Sequence, residues 1–267
     1  MSAGERRGVR LALGIGAGVV TVLVLAVVVF AAWAHTVRTG DRSAVIAAWR
    51  DEAVAIAPLG DGPFDGARNG FVITPADASG DGLVFLPGAR VEPAAYLWKL
   101  SGVAAETGLT IVVPRPAWNL AFFDTRPVSA FTALVPGIDR WYVGGHSLGG
   151  VRACQLAGGA DAPDAGVVGV ILFGSYCAND LSQTDLFAVA FAGEFDGLST
   201  PDEIVAASGN LPESSAVFVL PGLNHASFGD YGAQSGDGEA TVDSDTARRE
   251  IAEAVAQVIG VPASLET

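Results

Sequence analysis

The sequence predicts an α/β fold: a doubly wound, mostly parallel sheet with helices on both faces, preceded by a single transmembrane helix. Three observations carry this. Along residues 71–267, short runs of Val, Ile, Leu and Phe alternate with helix-like stretches, as expected of strands buried on both faces and joined by crossover helices. From Leu11 to Ala34 there is no charged residue. No internal repeat or second shift in composition divides the remainder, so one domain is expected there.

The elements follow in order. At about 1.5 Å per residue, residues 11–34 span the roughly 30 Å of a hydrocarbon core. Arg6, Arg7 and Arg10 precede this block, so residues 1–10 are expected in the cytoplasm and the rest is exported. Ala32-Trp33-Ala34 has the small-x-small form of a signal-peptidase site, which keeps a secreted product as the alternative. The apolar block is longer than the roughly 7–15 residues of a signal h-region, which favours a retained anchor in the cell membrane.

Residues 35–70 read as a lead-in. An amphipathic helix is expected over residues 41–57, "DRSAVIAAWRDEAVAIA", followed by a Gly/Pro/Asp-rich loop over 58–70. Strands are expected at 71–74, 83–86, 109–113, 141–144, 167–173, 186–192 and 216–220. Helices are expected at 93–107, 128–135, 150–158, 201–207 and 245–259. In such a sheet, ligands and active groups collect beyond the carboxyl ends of the strands.

Composition excludes several classes. The chain has 29 acidic and 15 basic residues, a formal net charge of −14, and Lys99 is its one lysine. Phosphate binding needs clustered cations, so no nucleic-acid partner is expected, and the acidity reads as solubility. With three histidines and no C-x-x-C pair, no metal or organic cofactor is implied. In an exported chain Cys154 and Cys177 permit one disulfide, and two separate buried thiols are the equal alternative.

The stretch "WYVGGHSLGG", residues 141–150, places Ser147 in G-x-S-x-G between a strand and a helix. That context makes the motif a nucleophile elbow, a turn so sharp that small neighbours are needed for strand and helix to approach. A serine hydroxyl needs a base to take its proton. His35 ends the membrane segment, and His146 adjoins the serine, where neighbouring side chains point apart, so His225 is the expected base. The acid should fall between them in the order Ser…Asp…His. Asp196, in the D-G turn after the 186–192 strand, fits best, with Glu194 as runner-up. Asp202 is explained as a first-turn helix charge. Two amides should hold the oxyanion, Leu148 after the serine and either Ala89 or Arg90 in the loop "LPGAR". Trp118 and Asn119, with Phe122, are candidates to line the substrate site, against simple loop packing.

With these in place, the chain from about residue 71 onward resembles the α/β-hydrolase superfamily, on "FLPGARVEPAAY", "PRPAWNLAFFD", "GGHSLGG" and "NHASFGDYG". It looks most like a small bacterial branch akin to dienelactone-hydrolase-like proteins, often with an N-terminal membrane anchor. The resemblance implies the hydrolase sheet and a Ser147–Asp196–His225 triad. Many relatives begin the oxyanion loop with His-Gly, whereas Pro87-Gly88 stands here. Few residues separate the 167–173 and 186–192 strands, too few for a helical lid, so an open site for small acyl substrates is expected. The expected activity is cleavage of carboxylic esters or related acyl bonds through an acyl-enzyme. An inactive hydrolase-fold binding or cell-envelope module, and an amide or peptide hydrolase, are the alternatives.

Overall fold

A run such as "VVGVILF" offers no polar side chain to either face of a strand, so it is stable only where both faces are covered. The structure, a computed structural model describing residues 3–60 and 68–259, builds its centre from such runs. The chain divides into two units, Met1–Thr36 and Val37–Thr267. The first is helix α1 (Ala3–Ala34), in which the 22 residues Leu13–Ala34 are long and apolar enough to cross a membrane. Most of its large apolar side chains stand exposed, from Leu13 to Trp33.

The second unit holds strands β1 (Val54–Pro58), β2 (Gly70–Pro75), β3 (Asp81–Leu86), β4 (Thr110–Pro114), β5 (Arg140–His146), β6 (Val167–Phe173), β7 (Phe187–Gly193) and β8 (Ala216–Leu220). They form one 8-stranded sheet in the order β1-β2-β4-β3-β5-β6-β7-β8. β2 runs antiparallel to both neighbours, and β3 to β8 are parallel. The helices are α2 (Arg42–Trp49), α3 (Leu97–Thr107), α4 (Ser129–Thr132), α5 (Leu148–Ala157), α6 (Pro201–Ala206) and α7 (Ser244–Ile259).

Alternation along β3 shows how the layers form. Leu83 and Phe85 join a core with Leu100 and Val103 of α3 and Ile251 and Val255 of α7. Val84 and Leu86 point the other way, into a core with Ala153 and Leu156 of α5 and Ile204 of α6. Each face of the sheet is thus sealed by its own helices, and the loops at the carboxyl ends are left to carry chemistry.

All seven expected strands are present, with β6 and β8 at the expected limits. The lead-in differs. Its helix is capped by Asp41, whose carboxylate accepts from the amides of Ser43 and Ala44, but it stops at Trp49. Residues 54–58 are not helical: they form β1, paired antiparallel with β2 through Ile56 opposite Ile73. Beyond Arg50 the apolar residues alternate, Val54 and Ile56 inward, and an edge strand uses that period where a helix cannot. The lead-in is therefore part of the sheet. Residues 61–67 of the expected loop, the start of the cytoplasmic segment and residues 260–267 lie outside the described residues. Helix 128–135 shortens to α4, and helix 150–158 begins earlier, at Leu148.

Cys154 of α5 and Cys177 form a disulfide, with Cα atoms 5.5 Å apart. It pins the segment after β6 to the elbow helix. Side-chain amides reinforce the pin: Asn179 donates to the Cys154 carbonyl at 3.1 Å and Asn210 to that of Cys177 at 2.9 Å. No helix forms between β6 and β7.

Candidate active site

Between the last residue of β5, His146, and the first of α5, Leu148, stands one residue, Ser147. Turning from strand to helix in one step puts Ser147 at φ 53°, ψ −126°, a strained conformation for a residue with a Cβ. Neighbours hold it there. Its amide donates to the Phe173 carbonyl at 3.0 Å, and its carbonyl accepts from the Ser175 hydroxyl at 2.7 Å. The flanking glycines answer a spatial demand: a Cβ on Gly145 would lie 2.6 Å from the Leu86 carbonyl oxygen, and one on Gly149 would overlap it. The end of β3 and its loop are thereby pressed against the elbow.

His225 opens a single helical turn, His225–Phe228, fixed by reciprocal side-chain bonds of Asn224 and Ser227 to each other's amides. Its Nδ1 lies 2.8 Å from Oδ2 of Asp196, and both side chains are buried. The other carboxylate oxygen of Asp196 accepts the amides of Leu198 at 2.8 Å and Ser199 at 2.7 Å, which fixes its plane. Gly174, next to the Phe173 carbonyl that holds Ser147, runs so close to this pair that a Cβ there would lie 2.9 Å from Asp196 Oδ2 and 3.2 Å from His225 Nδ1. Ser147, Asp196 and His225 thus follow the carboxyl ends of three strands of the parallel sheet, β5, β7 and β8. An imidazole bound through Nδ1 to a carboxylate keeps Nε2 as the proton acceptor.

Glu194, the alternative acid, does not reach the imidazole: it accepts the Gly222 amide at 2.8 Å. Asp202 lies in the first turn of α6, next to a Thr200–Glu203 capping box. In the β3 loop, the Arg90 amide donates to the Asn119 carbonyl at 2.7 Å. No hydrogen-bond partner among the described residues takes the amides of Ala89 or Leu148. Trp118 and Asn119 both have left-handed backbone, φ 57° and 54°. The Asn119 side chain accepts from Arg115 at 2.6 Å, while the Trp118 indole is half exposed. Asn119 therefore braces the loops, and the ring of Trp118 faces solvent beside them. Among the described residues no group of three His, Cys, Asp or Glu side chains gathers as for a metal.

Two features escaped the sequence reading. Asp237 accepts the backbone amides of His225 at 3.0 Å and Ala226 at 2.9 Å, a role that no side-chain pattern announces. His146 does not point away from the site as a whole: its ring centroid is 4.3 Å from that of His225. Burial, then the charge of His225, drive its pKa well below the ordinary histidine value, so it stays neutral.

No curated protein sequence matches the chain. Among solved structures, a hormone-sensitive lipase from a metagenome library superposes with a TM-score of 0.50 at 14% identity, covering 82% of this chain and 90% of that one. A predicted CIB-like hydrolase from Thermoplasma acidophilum superposes at 0.51 and 13% identity, covering 72% and 92%. The profile of the alpha/beta hydrolase family matches residues 82–249. That match runs from β3 through the elbow and the His225 turn into α7, and with the sheet order and elbow it shows that the chain belongs to the alpha/beta hydrolase family.

Proposed function

We propose that the protein is a serine hydrolase that cleaves carboxylic esters of small, accessible acyl groups. The observation that carries this is the buried His225–Asp196 pair at 2.8 Å, set against the elbow of Ser147. Ser147 Oγ attacks the ester carbonyl carbon while His225 Nε2 takes its proton. Asp196 holds the imidazole and stabilises the imidazolium. The oxyanion sits between the Leu148 and Ala89 amides, because the Arg90 amide is already engaged by Asn119. His225 then protonates the leaving alkoxide and an acyl-serine remains. Water, deprotonated by His225, attacks that ester and releases the acid and free Ser147.

The absence of a helix between β6 and β7 supports an open site and suits short acyl chains, as in a lid-poor branch similar to dienelactone-hydrolase-like proteins. Helix α1 supports a single-pass anchor with the catalytic unit outside the cytoplasm, and the Cys154–Cys177 disulfide fits such an oxidising compartment.

The test uses the full-length protein in detergent beside Ser147→Ala, with a fluorophosphonate probe and p-nitrophenyl esters of increasing acyl length. Labelling and turnover are expected in the wild type, falling off with acyl length, and absent from the variant. A folded wild type that neither labels nor turns over would sink the hydrolase reading in favour of a binding module.

A further inference from the structure

The proposed chemistry leaves unexplained two residues of the motifs that mark this chain, Tyr96 in "FLPGARVEPAAY" and His146 in "GGHSLGG". They meet beneath the site. His146 is 1% exposed, with rings of Tyr96, Phe228 and Tyr231 around it at centroid distances of 5.8, 5.9 and 6.1 Å. Its Nδ1 lies 3.0 Å from the Tyr96 hydroxyl, which in turn lies 2.9 Å from the Gly88 amide nitrogen.

Donor logic orients the chain of bonds. An amide N–H only donates, so Gly88 donates to Tyr96 Oη. Burial raises the Tyr96 pKa, so the hydroxyl keeps its proton, and the acceptor within reach is His146 Nδ1. His146 therefore carries its own proton on Nε2, the neutral form that burial also favours. That nitrogen completes no hydrogen bond of good geometry among the described residues, although the His225 backbone lies near enough to interact with the ring. The loop comes so close that a Cβ on Gly88 would stand 2.9 Å from His146 Nδ1 and 3.1 Å from Tyr96 Oη.

We propose that Tyr96 and His146 are positioning residues, a single buried relay that fixes the Gly88 peptide, and through it the Ala89 amide of the oxyanion site, while its neutral imidazole backs the ring of His225. The proposal rests on the serine-hydrolase reading. Gly88 N–H is pinned from below and the Gly88 carbonyl accepts the Val91 amide at 3.2 Å, so the peptide plane that carries the Ala89 N–H is tied on both sides of Gly88. The same imidazole lies 4.3 Å from His225 and bears no charge, so it does not oppose the imidazolium that forms there when Ser147 loses its proton. Neither residue touches the substrate. Their effect falls on the geometry that the transition state needs and the ground state does not.

Tyr96→Phe deletes the hydroxyl alone. In the full-length protein it should lower kcat for p-nitrophenyl acetate by roughly 10–100-fold with KM within about twofold. Phenylboronic acid, which forms a tetrahedral adduct on the serine, should bind more weakly by a similar factor. His146→Gln, which also removes the imidazole behind His225, should lose at least as much, and the double variant should be no worse than His146→Gln alone, because both interrupt one relay. Wild-type kcat with only a lowered melting temperature overturns the proposal. So do losses that multiply in the double variant, or a drop in kcat with boronate affinity intact. If His146→Gln does not fold, the kcat and boronate readings of Tyr96→Phe decide alone. Fluorophosphonate labelling of the wild type is scored first, so failure of the serine-hydrolase reading is seen separately from failure of the relay.

Discussion

The carboxylate of Asp237 accepts the backbone amide of His225 at 3.0 Å, and its second oxygen accepts that of Ala226 at 2.9 Å. The imidazole is thus held from two directions, its ring by Asp196 and its backbone by Asp237. Asp237 also accepts the Gly197 amide at 3.2 Å, so one carboxylate joins the loops that present the acid and the base. Asp237→Ala is expected to lower kcat by about 10–100-fold through misplacement of His225 and to lower stability by about 1–3 kcal/mol. Asp237→Asn, which keeps one acceptor, should fall between. Steady-state kinetics and urea melts on the three proteins check this, and unchanged kcat in Asp237→Ala would refute the bracing role.

Ser147 sits at φ 53°, a backbone region that disfavours any residue with a Cβ. Ser147→Gly should therefore gain about 1 kcal/mol of stability, the relieved strain exceeding the extra entropy of a glycine in the unfolded chain. Ser147→Ala, which keeps the Cβ, should leave stability near the wild type. Both should lose activity by about 10⁵–10⁶-fold in kcat. Thermal melts of the two variants make the comparison, and equal stability of Gly and Ala would argue against strain at the elbow.

His146 stays neutral in the folded protein because burial, then His225, hold its pKa well below 6.5. The unfolded chain has no such constraint. Below about pH 6.5 the unfolded state binds a proton that the native state refuses, so stability falls as pH drops. The slope from this one group approaches about 1.4 kcal/mol per pH unit until the native pKa is reached, and above pH 6.5 it vanishes. Urea denaturation of wild type and His146→Gln between pH 7.5 and 5 should show the shallower acid slope in the variant. Parallel slopes would contradict a buried neutral imidazole.

The disulfide closes a loop with a sequence separation of 23. On chain-entropy grounds, replacing both cysteines by alanine should lower stability by about 3 kcal/mol, or roughly 6–12 °C in Tm for a unit of this size. Melts of the Cys154→Ala/Cys177→Ala variant with and without dithiothreitol test this. The wild type should respond to reductant and the variant should not.

Much of this was legible because the information is local. The run that became β6 holds too many β-branched and aromatic residues for anything but a covered strand, and the same composition makes β8 a strand at the sheet edge, where Phe218 and Val219 stay exposed. Ser147 announces itself by its glycines, and His225 by being the histidine left after His35 and His146 are placed. β1 was misread because "EAVAIA" has helix-forming composition, and its strand state comes from pairing with β2. Ala89 and Arg90 could not be separated along the chain, because the difference lies in the carbonyl of Asn119, brought in by the loop after β4. The cysteine pairing depended on a Cα approach set by how α5 packs beside the end of β6, which no local pattern records. Asp237 and the Tyr96–His146–Gly88 relay act on backbone amides, and an amide is present at every position, so composition does not flag its partner.

The covalent tie between α5 and the segment after β6 also bears on how this catalyst can diversify. An insertion between β6 and β7 would have to grow from a strand connection stapled at Cys177 and clamped by Asn179 and Asn210. Such an insertion has to leave that staple and its clamps in place. In the loop after β4, by contrast, Trp118, Phe122 and Phe123 stand exposed, beside left-handed backbone at Trp118 and Asn119 and the Arg115–Asn119 bond. If the proposed hydrolase reading holds, exchange of those three rings is the way to alter what this scaffold accepts while the elbow and its staple stay unchanged.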